Sequence, residues 1–112
     1  MQSMQFLIFG KVGEVGMNII KRKVPVTELL AGLAEECAEL AQAALKLRRV
    51  FDGTNPTPVK EEDAIDRLYE EMADVKLYCS MLNVNSKYIS DVMQKKQKRW
   101  EGRLLANDEV SN

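Results

Sequence analysis

The feature that most constrains the fold is an apolar repeat at steps of three and four residues that covers most of the chain. It extends from residue 26 to about residue 106 and is interrupted at "FDGTNPTPVK" (51–60) and "NVNS" (83–86). Apolar residues at this spacing are typical of amphipathic helices, and clusters of Gly, Pro and Asn end them. The sequence therefore predicts three long helices and an all-α fold.

Local signals set the expected ends of these helices. Thr27 is the expected N-cap of the first helix. The second begins with an acidic turn near Glu61, which suits the positive end of a helix dipole, and Asn85 or Ser86 is expected to cap the third. The expected helices cover residues 26 to about 50, 61 to about 82, and 86 to about 106.

The chain is expected to contain one helical domain, residues 26–106, followed by a polar tail at 107–112. The pattern of residues 1–25 does not predict a structure, and Pro25 marks the boundary. Three long amphipathic helices favour a helical bundle. A three-helix bundle can close alone, but a chain of 112 residues buries only about two thirds of its unfolded surface. We therefore expect a homodimer or homotetramer to complete the core.

Composition excludes several classes of protein. Apolar residues make up 46% of the chain and charged residues 29%, which is typical of a globular domain. The net charge of −1 argues against binding to a nucleic-acid polymer. No segment approaches the roughly 18 apolar residues of a membrane span, and the N-terminal apolar run lacks the basic region of a signal peptide. We expect a cytoplasmic protein that does not insert into membranes.

Cysteine and histidine content limits the possible chemistry. Cys37 and Cys79 both fall in helical patterns, where buried free thiols in a reducing compartment are expected, with a disulfide between them as the alternative. The chain has no histidine, which argues against the usual catalytic triads and against a zinc site. Hydrolytic chemistry would have to use carboxylates, lysines, tyrosines or metal ions.

Two similar acidic motifs lie inside the helical patterns, "EECAEL" at 35–40 and "EEMADV" at 70–75. Glu36 and Glu39 share a helix face because they are three residues apart, and Glu71 and Asp74 have the same spacing. If the two helices pack antiparallel, the four carboxylates point into one cleft, where they repel unless a cation lies between them. Mg²⁺ prefers such oxygen ligands. The alternative is a solvated face or a ladder of salt bridges.

With these residues the chain resembles the MazG-like superfamily of all-α nucleoside triphosphate pyrophosphohydrolases. The superfamily pattern is ExxE on one helix and ExxD on the next, here Glu36-x-x-Glu39 and Glu71-x-x-Asp74. The resemblance covers residues 27 to about 103, with a longer segment between the motifs than in compact members. It implies a helical dimer or tetramer that cleaves a nucleoside triphosphate between the α- and β-phosphates, releasing the monophosphate and pyrophosphate.

The resemblance also implies roles for individual residues. The four acids of the two motifs would hold Mg²⁺, for which Mn²⁺ can substitute. Glu35 would orient or deprotonate the attacking water, and Tyr78 would contact the substrate. Lys96 and Arg99 would bind phosphate oxygens, as arginine does with bidentate geometry. The neighbouring Lys95 and Lys98 leave the register of this motif open. Tyr78 could equally belong to the core, and the basic residues could form a solvated helix face.

Two other classes of function remain open. The chain could be a helical interaction module without enzymatic activity, in which the apolar faces bind a partner helix. It could also be a catalytically inactive homologue that binds a nucleotide. Within the enzyme class, the phosphoribosyl-ATP branch is an alternative substrate group, and the motifs do not identify the base or the sugar.

Overall fold

The structure is a computed structural model that describes residues 19–111, with side chains described for residues 19–109. This part of the chain forms helices and contains no strand, which confirms the all-α prediction. Residues 1–18, which belong to the N-terminal segment of unpredicted structure, lie outside the described residues. The helices are α1 (Ile19–Lys23), α2 (Val26–Asp52), α3 (Glu61–Met81) and α4 (Ser86–Ser111).

Pro25 separates α1, which the sequence did not predict, from α2. Its φ of −62° and ψ of 153° make it the N-cap of α2, and the residue before a proline disfavours the helical conformation. The Pro25 carbonyl accepts the N–H groups of Glu28 and Leu29 at 3.0 and 3.1 Å. The prediction of Thr27 as the N-cap is therefore wrong, because Thr27 already lies inside the first turn.

Gly53 ends α2 in the left-handed conformation, with a φ of 75°, and its N–H donates to the carbonyl of Arg49. This conformation is strained for residues with a Cβ, which explains the glycine. Asp52 fixes the turn that follows, because its Oδ1 accepts the hydroxyl and the N–H of Thr54 at 2.5 and 3.1 Å. These hydrogen bonds lower the pKa of Asp52 below its usual value.

Asn85 caps the N-terminus of α4, since its Oδ1 accepts the N–H of Tyr88 at 2.9 Å. Of the two caps that the sequence proposed, Asn85 is therefore the one that forms this bond. The helix continues to Ser111 rather than ending near Ala106. Residues 107–111 are mostly polar but contain neither Gly nor Pro, so nothing in their backbone chemistry stops the helix.

The core lies between α2 and α3, the only pair of helices with extensive contact among the described residues. The two helices run antiparallel, so the start of α2 meets the end of α3. Leu29 of α2 packs with Met81 and Leu82 at that end. Half-buried apolar side chains surround this cluster: Val24, Val26, Leu33, Tyr78 and Val84.

Helix α4 has few contacts with the rest of the described chain. Its apolar face remains exposed, with 63% of Trp100 and 62% of Met93 accessible to solvent. The Cα radius of gyration is 18.8 Å, whereas a compact domain of this length has about 13 Å. None of the helices within residues 19–111 is long and apolar enough to cross a membrane.

Both cysteines are free thiols, as expected, and no disulfide joins them. Cys79 is half-buried, but Cys37 is exposed on α2. The expectation of two buried thiols is therefore wrong for Cys37. The helical repeat placed it on the apolar face, but the face of α2 that contacts α3 is narrower and centred on Leu29, Gly32, Ala43 and Leu47.

Candidate metal centre

The antiparallel packing of α2 and α3 brings acids from both motifs together. Glu36 of α2 and Glu71 and Asp74 of α3 each offer a carboxylate oxygen, and these oxygens lie within 4.8 Å of one another. The predicted convergence therefore occurs for these three residues. We refer to Glu36, Glu39, Glu71 and Asp74 as the acid cluster.

Glu71 lies at the most buried point of the acid cluster, with 2% of its surface exposed. Its Oε1 accepts a hydrogen bond from Nη2 of Arg67 at 2.7 Å, one turn earlier on α3. Its Oε2 is buried and has no hydrogen-bond partner among the described residues, and the same holds for Oε2 of Glu36. Buried polar atoms are nearly always paired. Two unpaired carboxylate oxygens in one cluster could act as ligands of a cation, or could be neutralised by protons.

The electrostatics of the cluster agree with this geometry. Burial raises the pKa of Glu36, and the charges of Asp74, Glu39 and Glu71 raise it further, as does a hydrogen bond with Asp74. Burial also raises the pKa of Glu71; Arg67 opposes this rise, whereas Glu39 and Asp74 add to it. Protons, like a bound cation, would relieve the repulsion between these groups.

Glu39 is more exposed than the other three acids but belongs to the same electrostatic system. Its charge helps to raise the pKa of both Glu36 and Glu71, and a hydrogen bond with Glu39 contributes to the raised pKa of Glu71. Glu39 therefore lies close enough to the other three acids to act on them, as the prediction of four acids in one cleft requires.

The dimensions of the cluster fit a small divalent cation. Mg²⁺ binds oxygen at about 2.1 Å, so two ligands on opposite sides of one ion are about 4.2 Å apart. The observed limit of 4.8 Å between ligand atoms is close to this value. The donor set contains only carboxylate oxygens, which suit Mg²⁺ or Mn²⁺ better than the softer metals.

Glu35 does not join the acid cluster. It precedes Glu36 on α2, and adjacent helix residues point about 100° apart. Its side chain is exposed. The structure therefore places the predicted water-activating residue beside the cluster, on the solvent side of α2.

Tyr78 lies one turn beyond Asp74, half-buried at the edge of the core. Its ring packs directly on Gly32 of α2, where an added Cβ would overlap the ring. Tyr78 also lines a cavity of about 280 Å³ with apolar side chains that include Leu29 and Met81. The residue thus takes part in the core and also faces a cavity, so its position does not decide between the two predicted roles.

Lys96 and Arg99 lie on α4 and are exposed. They line a groove along that helix together with Met93, Trp100 and Leu104. Because α4 has no extensive contact with α2 or α3, one chain does not pack these two basic residues against the acid cluster.

The sequence analysis did not single out Arg67, the cationic partner of Glu71. The signal was present, because Arg67 and Glu71 are four residues apart on a helix and such pairs meet on one face. Pairs with the same spacing are common on solvated helix surfaces and do not indicate a functional site there. Only the burial of Glu71 distinguishes this pair.

No protein-family model, no curated protein and no solved structure matches the chain.

Proposed function

We propose that the chain is a Mg²⁺-dependent nucleoside triphosphate pyrophosphohydrolase. Such an enzyme adds water across the anhydride bond between the α- and β-phosphates and releases a monophosphate and pyrophosphate. The observation that carries the proposal is the pair of buried, unpartnered carboxylate oxygens of Glu36 and Glu71. The ExxE and ExxD motifs that contain them, and their resemblance to the MazG-like pattern, support the choice of reaction.

The acid cluster would hold the Mg²⁺, or Mn²⁺ in its place. When bound, the ion supplies Lewis-acid polarisation of the phosphate oxygens and of the attacking water. Glu35 precedes Glu36 on α2 with its side chain exposed, and the resemblance implies that it would orient or deprotonate that water. Tyr78, one turn beyond Asp74, lines a largely apolar cavity that would suit the less polar nucleoside end of the substrate.

The proposal includes a homo-oligomer in which α4 packs on the α2–α3 hairpin of a second copy. Charge favours this contact. Helix α3 carries seven acidic and two basic residues, whereas residues 86–104 of α4 carry six basic and two acidic residues. The apolar face of α4 is also left uncovered by the other described residues, and an exposed aromatic and aliphatic stripe is typical of an interface.

The same contact gives Lys96 and Arg99 a role. They lie on the exposed face of α4, in the groove that contains Trp100. On a second copy they would approach an acidic helix that bears Glu71 and Asp74. A triphosphate held by a metal keeps negative charge on its outer oxygens, and lysine and arginine would neutralise that charge.

The reaction can be tested by measuring pyrophosphate release with Mg²⁺ across the common ribo- and deoxyribonucleoside triphosphates and phosphoribosyl-ATP. We expect turnover of at least one triphosphate. Asp74→Asn and Glu39→Gln should lower it by about 100-fold or more, since metal ligands contribute several kcal/mol to transition-state stabilisation. Glu62→Gln removes an exposed acid of α3 outside the cluster and should retain full activity.

Two results would contradict the proposal. Absence of pyrophosphate release from every substrate would exclude the reaction, and full activity of Asp74→Asn would exclude the site. Calorimetry with Mg²⁺ and a non-hydrolysable triphosphate separates the alternatives. A helical interaction module gives no heat with either ligand, whereas an inactive nucleotide-binding homologue binds both and does not turn over.

A further inference from the structure

Arg67 holds the buried carboxylate of Glu71 from one side. Nη2 of Arg67 donates to Oε1 of Glu71 at 2.7 Å, and the two side chains differ greatly in exposure, 59% for Arg67 and 2% for Glu71. The contact therefore spans the boundary between the solvent and the interior of the hairpin. It occupies one oxygen of the carboxylate and leaves the other, Oε2, without a protein partner.

A second contact holds the guanidinium on the solvent side. Nη1 of Arg67 lies 3.6 Å from Oε2 of Glu70, whose side chain is 69% exposed. The guanidinium thus bridges an exterior acid and an interior acid on consecutive positions of α3. Arginine is suited to this task because its donors form a rigid, planar fork.

We propose that Arg67 is a positioning residue for the metal centre, which fixes the carboxylate of Glu71 so that its free oxygen faces the cation. This inference rests on the proposed metal site. Side chains that hydrogen-bond a ligand's second atom commonly orient metal ligands in proteins. The bond comes from the same helix at four-residue spacing, so the orientation is set before any ion binds.

A purely electrostatic role of Arg67 would predict the opposite change in metal affinity when Arg67 is removed. If Arg67 merely supplied the positive charge that Glu71 needs without a metal, it would compete with the cation, and its removal would strengthen metal binding. If Arg67 orients Glu71, its removal weakens metal binding, even though a nearby positive charge has been lost. The sign of the change in affinity therefore separates the two roles.

The test is calorimetric titration of the full chain with Mg²⁺ alone, for the wild type and for Arg67→Met, Arg67→Lys and Lys76→Met. Arg67→Met should bind Mg²⁺ about 10- to 100-fold more weakly. Arg67→Lys keeps the charge but not the planar fork, so its affinity for Mg²⁺ should lie between those of the wild type and Arg67→Met. Lys76→Met removes an exposed positive charge from the same helix and should not weaken binding. Circular dichroism confirms that each variant is folded.

Binding by Arg67→Met that equals or exceeds that of the wild type would overturn the positioning role and leave the metal site intact. If Arg67→Met does not fold, Arg67→Lys decides: weaker binding supports the proposal, and wild-type affinity overturns it. If the wild type itself gives no Mg²⁺ binding, the proposed metal centre fails and the role of Arg67 fails with it.

Discussion

The α2–α3 hairpin and helix α4 differ in which kind of side chain they bury and which kind they expose. The hairpin buries a charged residue, Glu71, more completely than most of its aliphatic side chains, whereas α4 leaves Trp100 and Met93 largely in solvent. Both arrangements reverse the usual preference, in which carboxylates are exposed and large apolar side chains are covered. Each therefore leaves groups that the other described residues of the chain do not satisfy or cover.

The difference between the two regions bears on the partner that we propose for each. The unpaired groups in the hairpin are carboxylate oxygens, whose charge a cation or a proton would compensate. The uncovered groups on α4 are a tryptophan, a methionine and leucines among lysines and arginines, which suit an apolar face with acidic surroundings. The hairpin of a second copy offers such surroundings. One protein could thus satisfy both needs by binding a metal and associating with itself.

The largest expected effect concerns α4. Trp100→Glu should weaken self-association by about 30-fold or more, because a tryptophan at the centre of an interface commonly contributes 2 kcal/mol or more. Sedimentation equilibrium over a range of protein concentrations measures this change. Gln94→Glu introduces the same charge on another face of α4 and should leave the assembly unchanged. A wild type that is monomeric at every concentration would remove the proposed contact.

The next effect contrasts two helical glycines, one in each region. Gly32→Ala should destabilise the protein by about 1–3 kcal/mol, because the new Cβ would overlap the ring of Tyr78. Gly102→Ala meets no atom within 4 Å and should stabilise α4 by about 0.5–1 kcal/mol through helix propensity. Urea denaturation followed by circular dichroism measures both.

A double-mutant cycle checks the cause assigned to Gly32. In a Tyr78→Ala background, Gly32→Ala should cost little, since the ring that it would meet is gone. An equal cost in both backgrounds would show that Tyr78 is not the obstacle and that α2 and α3 pack differently at this point.

The smallest expected effect is the pH dependence of the metal-free protein. The pKa of Glu36 is raised from 4.5 in the folded state, so this state binds more protons than the unfolded chain above that pH. Stability should therefore fall as pH rises from about 4.5 through the folded-state pKa. Glu36→Gln removes this loss, so its stability advantage over the wild type should grow between pH 4 and pH 7. An advantage independent of pH would contradict the assignment.

In the difference between the wild type and Glu36→Gln, the contributions of titrating groups outside the acid cluster cancel. Asp52 has a lowered pKa, so it stabilises the folded state above its unfolded value of 3.8 and loses this contribution as pH falls through the folded-state pKa. Both proteins contain Asp52, so its contribution cancels, and the difference between them reports on the titration of Glu36 within the acid cluster. Urea denaturation curves in the presence of a chelator provide the measurement.

The sequence predicted the three long helices because their signals are local. The apolar spacing and the turn residues Pro25, Gly53 and Asn85 act within a few positions of the chain. Matched spacing also predicted that acids of α2 and α3 would meet, given antiparallel packing. The extension of α4 to Ser111 was missed because a polar sequence without Gly or Pro is neutral about where a helix ends.

Other features depend on packing that the repeat does not encode. The repeat shows that α4 has an apolar face but not that this face has few contacts with the rest of residues 19–111. It places Glu71 at the edge of an apolar stripe but does not reveal that Glu71 is the most buried acid, or that Arg67 binds it. The exposure of Cys37 was missed for the same reason, since the width of a buried face depends on the neighbouring helix.

The most direct test of the metal centre is calorimetric titration of Mg²⁺ into the wild type and Glu71→Gln, with Glu62→Gln as the control on the same helix. We expect saturable binding to the wild type and the control, and binding at least about tenfold weaker to Glu71→Gln. Equal affinity of all three proteins, or no binding to the wild type, would contradict the conclusion that a cation belongs between α2 and α3.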